Sequence, residues 1–431
     1  MSVPRVVVVG GGFGGLEVCR RLQGASRRGQ IHLTLIDKEN FFQFNPLLPS
    51  VASGEVETRH IVYPLRSFTG PRKIRFVRNK LRRIDTEARV LHLHNDLVVP
   101  YDHLVLAVGA ATNYFGIPGA EEHSFPFKTL MDAIRLRAHV VEMWELADQA
   151  EDAAKRRELL TFVVAGGGIT GVEVCSELVR MFRETMFRLY PSVSANLPAV
   201  HMIEAADRLL PGLMEQHSRV AAEHLRHIGV NLILHRKVVR VDEGSVTMDD
   251  GAVLPAHTLI WTTGIRGGQI ETPWPWPTTR GGRLVVDPHG QVAPGVWAIG
   301  DLADMRVGAN DERRVPAVAQ GAIQTGRLVA ENIEATIAGR PLGTLRFVDF
   351  GYFVGLGKHS TVASLFGVPI AGWIAWYLWA FVYLVKMVGL RKQLEVAADL
   401  FKSIFVGHDT SQIHERRRML RDRDIEPDLG G

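Results

Sequence analysis

The sequence predicts an α/β chain: two parallel-sheet modules of one design, followed by a C-terminal region of amphipathic helix. Three observations carry this. Short apolar runs that read as buried strands alternate with stretches at helical spacing. The whole pattern recurs roughly 150 residues further on. The chain then changes character near residue 345, where aromatic side chains gather. A length of 431 residues suits two such modules and an appendage better than one small domain.

The composition, 46% hydrophobic and 22% charged, is that of an ordinary globular chain. A formal net charge of +4 sets up no field that would call for nucleic acid as a partner. The two cysteines, Cys19 and Cys175, give no disulfide framework, which fits a reducing compartment. The first apolar run, Val6 to Val9, is too short for a signal-peptide core and reads as a strand.

Taken in order, residues 6–9 form a buried strand, residues 15–22 open a helix and residues 33–37 form the next strand. Continuous apolar strands flanked by helices indicate a parallel sheet. After an irregular segment, 41–57, residues 101–110 read as another buried strand. Residues 128–160 contain no Pro or Gly and read as one long helix leading into the second module. That module repeats the first: LLTFVVAGGG, a helix, then VHMIEAADR. The Pro/Gly-rich stretch 274–282 closes it, VWAIGD returns to strand, and 315–338 reads as a helix.

Each module opens with a glycine loop. In the first, Gly10-Gly11-Gly12-Phe13-Gly14-Gly15 follows a strand and precedes a helix. The first glycine of such a loop allows a tight turn, the second lets backbone approach a pyrophosphate, and the third lets helix and strand pack closely. The phosphates then meet the free N–H groups of the helix N-terminus. Asp37 ends the second strand, where a carboxylate accepts ribose hydroxyls. The second loop, Gly166-Gly167-Gly168-Ile169-Thr170-Gly171, has Glu204 in the same place. A glutamate there accepts a free 2′-hydroxyl and repels a 2′-phosphate, which favours NADH over NADPH; Arg208 nearby would soften that preference. Two loops mean two dinucleotides, and the usual pairing is a tightly held FAD with a diffusible NADH. Asp301, at the carboxyl end of the VWAIGD strand, stands where open α/β sheets bind ligands and is expected to meet the flavin ribityl chain. Glu173, in the first turn after the second loop, reads either as an acid complementing the helix dipole or as a group near the nicotinamide.

With these elements placed, the chain resembles the two-dinucleotide flavoproteins, and within them the type II NADH:quinone oxidoreductases. The resemblance covers essentially the whole chain. NPLLPSVASGEVE resembles the segment that the family lays along the flavin, and LVLAVGAATNYFG its second flavin segment. IEAADRLLPG and IWTTGI resemble its nicotinamide-domain strands. AQGAIQ is similar to the family's A-Q-x-A-x-Q, whose two glutamines, here Gln320 and Gln324, share one helix face. The resemblance implies that Gly10, Gly12, Phe13, Gly14, Gly15, Asp37, Lys38, Pro46, Leu47, Ala107, Gly109, Asp301, Ala319 and Gln320 bind FAD. It implies that Gly166, Gly168, Ile169, Thr170, Gly171, Glu204 and Gly264 bind NADH, and that Glu173, Gln320 and Gln324 serve the reaction. No metal is implied. Two departures stand out: Asp37 replaces the commoner Glu, and Thr325 stands where many members have a second Gln.

The C-terminal run 365–385 carries no charge and holds Trp373, Trp376 and Trp379, residues at home in a membrane interface. Its length reaches that of a span, but Pro369 and Gly372 shorten the helical part. A second amphipathic stretch, 396–406, places Val396, Leu400, Ile404 and Phe405 on one face. The resemblance implies an anchor that lies on the cytoplasmic face of the cell membrane and gives quinone access to the flavin. It leaves room for a homodimer through this region. The mixed-sign tail 414–424 reads as solvated. The expected division is an FAD-binding domain of residues 1–125 and 283–345, an NADH-binding domain of 126–282, and an anchoring or dimerisation region of 346–431. Function is expected to be hydride transfer from NADH to FAD and two-electron reduction of a membrane quinone, without proton pumping. The alternatives are a reductase of another quinone or protein acceptor, and a membrane-tethered redox sensor. Sulfide:quinone oxidoreductases require a cysteine pair at the flavin and disulfide reductases a C-x4-C after the first acid; neither pattern is present.

Overall fold

The computed structural model describes residues 3–193, 198–308, 311–403 and 408–410. The mixed-sign tail expected over 414–424, and Ile404 and Phe405, lie outside the described residues. The chain divides into two compact units: residues 1–43, 62–113 and 264–351 in the first, and 44–61, 114–263 and 352–431 in the second. Five helices position the functional residues: α1 (Phe13–Arg27), α2 (Ile169–Met181), α3 (Ala319–Ile337), α4 (Trp373–Lys386) and α5 (Leu390–Lys402).

The first unit is built on a six-stranded sheet in the order Gln291–Ala293, Val296–Ala298, His103–Leu106, Arg5–Val9, His32–Asp37, Arg75–Arg78. Every neighbouring pair is parallel except the first. Val6 pairs with Leu33 on one side and His103 on the other, so the all-apolar run Val6–Val9 is a central strand buried on both faces. α1 leaves that strand through the glycine loop and packs on α3. A Cβ added to Gly326 would lie 2.7 Å from the Gly14 carbonyl oxygen, and one on Gly14 would lie 3.0 Å from that of Ala322. The two helices thus meet backbone to backbone, which side chains would prevent.

The helix expected over 315–338 begins only at Ala319. Pro316 steers the residue before it away from helical geometry, and the Val315 N–H instead bonds the Met305 carbonyl at 2.9 Å.

The second unit has a five-stranded parallel sheet in the order Phe125–Pro126, Thr258–Trp261, Thr161–Ala165, Ala199–Glu204, Val230–Leu234. The long helix expected over 128–160 is two helices, Leu130–Gln149 and Ala153–Leu159. Asp152 makes the break. Its carboxylate accepts the Ala154 and Lys155 N–H groups at 3.0 and 3.3 Å, and so starts a new helix by capping it.

The apolar run 365–385 is not one element. Leu365 ends the strand Thr361–Leu365, Val368–Ala371 returns antiparallel to it, and only then does α4 begin. Phe366 and Gly367 take positive φ in the turn, which makes a tight hairpin. Among the described residues no helix is long and apolar enough to cross a membrane.

Candidate functional site

The first glycine loop is shaped as a phosphate cradle. Gly10 takes φ +110°, and a Cβ on it would collide with the Ala107 carbonyl. A Cβ on Gly15 would collide with the carbonyl of Gly10. Gly12 has open space around its missing side chain, which is where backbone can come close to a ligand. Gly14 serves the packing of α1 on α3, and Phe13 begins α1 with its ring edge-on to Phe42, centroids 5.0 Å apart. Asp37 closes the cradle. One of its oxygens accepts the Gly11 N–H at 2.5 Å and the other the Glu39 N–H at 2.7 Å. Burial pushes its carboxyl upward, with the two amide bonds and Lys38 opposing the shift. Lys38 itself is exposed, its carbonyl accepting from Arg78 Nε at 3.3 Å.

The second loop repeats this construction. Gly166 takes φ +107°, a Cβ on Gly171 would collide with the Gly166 carbonyl, and Gly168 faces open space. Glu204 accepts the Gly167 N–H at 2.5 Å and the Ala206 N–H at 2.8 Å. Ile169 and Thr170 form the first turn of α2. In both loops each acid oxygen holds one amide and keeps a lone pair free for a ribose hydroxyl. The residues therefore fit a dinucleotide at each loop. Arg208 Nη2 donates to the Pro211 carbonyl at 3.0 Å and the Leu213 carbonyl at 3.4 Å, so it is tied to its own loop.

Elsewhere in the first unit, Asp301 sits in a 3-10 turn, Gly300–Leu302, that follows the strand Val296–Ala298. The Gly300 N–H bonds Thr325 Oγ at 3.0 Å, so the residue standing in place of the family's second glutamine fixes this turn. Ala107 continues the strand His103–Leu106 through an amide bond to the Val9 carbonyl at 2.8 Å. Gly109 and Gly264 take φ of +73° and +74° in neighbouring turns. Gln320 and Gln324 do more than line a helix face. Gln324 accepts from the Val348 N–H (2.9 Å) and donates to the Val348 carbonyl (2.8 Å). Gln320 accepts from the Phe350 N–H (3.2 Å) and donates to Asp349 Oδ1 (3.0 Å) and the Gly351 carbonyl (3.3 Å). The pair clamps the segment 348–351 along α3, which sequence reasoning missed because every partner but the Asp349 carboxylate is a main-chain group.

In the second unit, Glu173 is the chemically distinctive group. It lies just past the first turn of α2, as the helix's fifth residue rather than in the first turn where the sequence places it, and its carboxylate accepts the Gly355 N–H at 3.0 Å. Desolvation is the main cause of a pKa pushed up to about 8; the Gly355 bond opposes the shift and Glu177 adds to it. The residue keeps some surface where it lines a cavity of about 30 Å³ shared with Pro46, Gly355, Trp376 and Trp379. Pro46 and Leu47 form a 3-10 turn with Leu47 buried. Tyr383 of α4 packs against Trp379 with centroids 4.9 Å apart and the rings tilted by 50°, and burial and the Glu173 charge push its phenol up.

The chain matches the pyridine nucleotide-disulphide oxidoreductase family over residues 4–326 and the NDH2 C-terminal domain over residues 351–409. Type II NADH:quinone oxidoreductase NdhA of Mycobacterium tuberculosis is 31% identical to it, over 90% of this chain and 85% of that protein. A type II NADH:quinone oxidoreductase of Staphylococcus aureus is 30% identical, over 85% and 91%. This chain belongs to the type II NADH:quinone oxidoreductases. A structure of NDH2 from Plasmodium falciparum in complex with NADH shares the fold, with a TM-score of 0.87 at 20% identity, covering 95% of this chain and all of that one. The sulfide:quinone oxidoreductase of Aquifex aeolicus shares it too, at a TM-score of 0.73 and 18% identity over 94% of this chain and 96% of that one. In this type II chain, however, Cys19 and Cys175 are free, fully buried thiols on α1 and α2, and burial pushes the Cys19 thiol up to about 12. A thiol so held is not a nucleophile.

The family's C-terminal domain presents an apolar ridge here. Trp373, Tyr377, Phe381 and Val385, four residues apart, are each more than half exposed on one face of α4. Leu390, Leu394 and Phe401 form a like face on α5, and Phe366 and Val368 project from the hairpin. On α5 Val396 and Leu400 share one face as expected, and that face is buried; the helix begins earlier than the expected stretch, at Leu390, and a second apolar face meets solvent. The helix is apolar on two sides, which a single-face reading could not separate.

Proposed function

We propose that this chain binds FAD at the first loop and NADH at the second, oxidises NADH, and reduces a quinone drawn from the membrane surface. The single observation that carries the quinone end is the position of Glu173. A carboxyl that stays protonated at neutral pH lines a cavity walled by Trp376 and Trp379, whose helix offers the exposed ridge to lipid. When bound, the flavin supplies the redox chemistry, taking a hydride from NADH and giving two electrons to the quinone.

The chain's own residues bind, orient and hold protons. The amides of the first turns of α1 and α2 face the two pyrophosphates. Asp37 and Glu204 accept ribose hydroxyls, and Glu204 disfavours a 2′-phosphate. In the first unit Asp301 is assigned to the ribityl chain and Ala107 and Gly109 to the flavin, and the family resemblance assigns Pro46 and Leu47 to FAD as well. Gln320 and Gln324 act as positioning residues that fix the backbone 348–351. Glu173 donates a proton to a quinone oxygen.

Residues 1–125 with 283–345 form the FAD-binding domain in this reading, 126–282 the NADH-binding domain, and 346–431 the anchoring region. The ridge on α4 and α5 lies on the cytoplasmic face of the cell membrane, and part of it remains available for a homodimer. Partly buried aromatic rings and exposed aliphatic ends suit an interfacial anchor. The direct test is steady-state oxidation of NADH by a short-chain quinone, using flavin-replete protein supplied with lipid. Turnover is expected with NADH and falls with NADPH; no turnover would sink the assignment.

A further inference from the structure

We propose that Glu55 and Glu177, gathered on Arg180, form a relay that returns a proton from solvent to Glu173; this rests on the reading of Glu173 as the proton donor to quinone. Two cavities in the second unit share one wall. A cavity of about 180 Å³ is lined by Glu55, Arg180, Asp399, His408 and the rim residues Lys402 and Asp409, which are exposed. The smaller cavity beside Glu173 is lined by Glu55 and Glu177 as well. Glu55 therefore faces both, and its carboxyl is the bridge between rim and donor.

The acids meet at two places: on Arg180, which holds Glu55 and Glu177 in position, and at the smaller cavity, whose water-sized space is walled by Glu55, Glu173 and Glu177 alike. Arg180 Nη2 lies 2.9 Å from Glu55 Oε2 and 2.5 Å from Glu177 Oε2. Ser53 Oγ donates to Glu177 at 3.0 Å. Glu177 is one turn along α2 from Glu173, on the same face. Two carboxylates on one guanidinium atom is an expensive arrangement for stability alone, since buried ion pairs seldom repay their desolvation. Its side chains are almost wholly buried, Arg180 at 8% and Glu55 at 7% exposure. Arg180 Nε and His408 Nε2 are buried with no partner among the described residues, and both residues line a cavity roomy enough for several waters. Just beyond α2 the helix widens into a π turn, Phe182–Met186, where Thr185 meets His408 Nδ1 at 3.1 Å. Such turns are frequent at functional sites. Burial and the neighbouring Glu177 push the Glu55 carboxyl upward, with Arg180 opposing the shift. The other charged groups nearby are Glu184 on Arg180 Nη1, Lys358, and the His60–Asp399 pair beside Glu57.

The proton balance fits one relay. NADH delivers one hydrogen with its electron pair, and quinol needs two, so each turnover draws one proton from solvent. The O–H of Glu173 breaks as the quinol O–H forms, and the carboxylate left behind takes a proton across the water-sized space it shares with Glu177 and Glu55, which is replaced in turn from the larger cavity that Glu55 also lines.

The test compares E55Q, E177Q, E173Q and the control E184Q in flavin-replete protein by stopped flow and at steady state. Bleaching by NADH should match wild type in all four. Because Glu173 begins each experiment protonated, the first reoxidation by quinone should match wild type in E55Q and E177Q, while steady-state turnover with excess NADH and quinone should slow about tenfold or more, with a larger solvent deuterium isotope effect, a decline with rising pH that sets in earlier than in wild type, and partial rescue by formate. E184Q should match wild type. E177Q leaves Glu55 and Glu184 on Arg180, so it keeps the proposal testable if E55Q does not fold. Infrared difference spectra give a readout apart from turnover: the protonated carboxyl band of Glu173 should persist in E177Q at pH 7 and vanish in E173Q. If E173Q slows reoxidation while E55Q and E177Q leave the steady-state rate, its isotope effect and its pH profile unchanged, the relay is wrong and the donor stands. If E173Q itself has no effect, the donor reading fails first.

Discussion

The Gly355 N–H meets the Glu173 carboxylate at 3.0 Å, joining the helix that follows the second loop to a strand some 180 residues later in the chain. That contact holds the acid in one place while the protein around it keeps it protonated. The pairing is long-range, so no local pattern announces it.

The protonated state of Glu173 has a measurable cost. Its folded pKa of about 8 stands above the ordinary 4.5, so between these values the folded chain alone holds the proton. Stability contributed by this group is therefore present at low pH and declines as pH rises from about 4.5 to about 8. E173Q should match wild type in thermal unfolding near pH 4.5 and exceed it at pH 9, by on the order of 2 kcal/mol after allowance for its cavity-facing surface. Equal stability at both pH values would deny the perturbed acid.

The two open glycines separate folding from binding. A Cβ on Gly12 or Gly168 meets nothing, and neither takes positive φ, so G12A and G168A should unfold like wild type. G12A should be purified with flavin lost or weakly held. G168A should retain flavin and show its defect in KM for NADH. By contrast G10A and G15A, which drive a Cβ into a carbonyl, should fold poorly.

Nucleotide choice should turn on Glu204. Arg208 is tied to the Pro211 and Leu213 carbonyls, so it does not rescue a 2′-phosphate in the wild type. E204Q keeps the size of the side chain and removes the repulsion, and the NADH/NADPH ratio of kcat/KM should narrow about tenfold or more. An unchanged ratio would assign selectivity elsewhere.

The apolar ridge gives a prediction about location. Phe381 and Leu394 are 64% and 63% exposed, so F381D and L394D should not disturb folding. Each should weaken binding to phospholipid vesicles about thirtyfold, the equivalent of roughly 2 kcal/mol of lost apolar contact. Co-sedimentation measures it. Substituting the buried Val396 should instead lower stability.

Much of this molecule was legible from its residues. Both loops, Asp37 and Glu204 take the places their spacing gives them, because a strand–turn–helix unit is decided within a few dozen residues. Element boundaries were less so. Asp152 breaks a helix by offering its carboxylate to the next helix's amides, and Pro316 delays α3; both are single-residue effects inside otherwise helical patterns. The C-terminal run hid a hairpin, since alternating and helical apolar spacing look alike over so few residues. The roles of Gln320, Gln324 and Glu55 depend on backbone and side chains far away in sequence, and nothing at short range signals them.

The central claim is that one chain takes electrons from NADH and hands them to quinone with Glu173 supplying a proton. Double-mixing stopped flow tests it most directly. NADH should bleach the flavin absorbance of wild type and E173Q at equal rates, and a quinone added next should restore it rapidly in wild type and at least tenfold more slowly in E173Q. Flavin that NADH bleaches but quinone fails to restore in wild type, or restores equally fast in E173Q, would contradict the account.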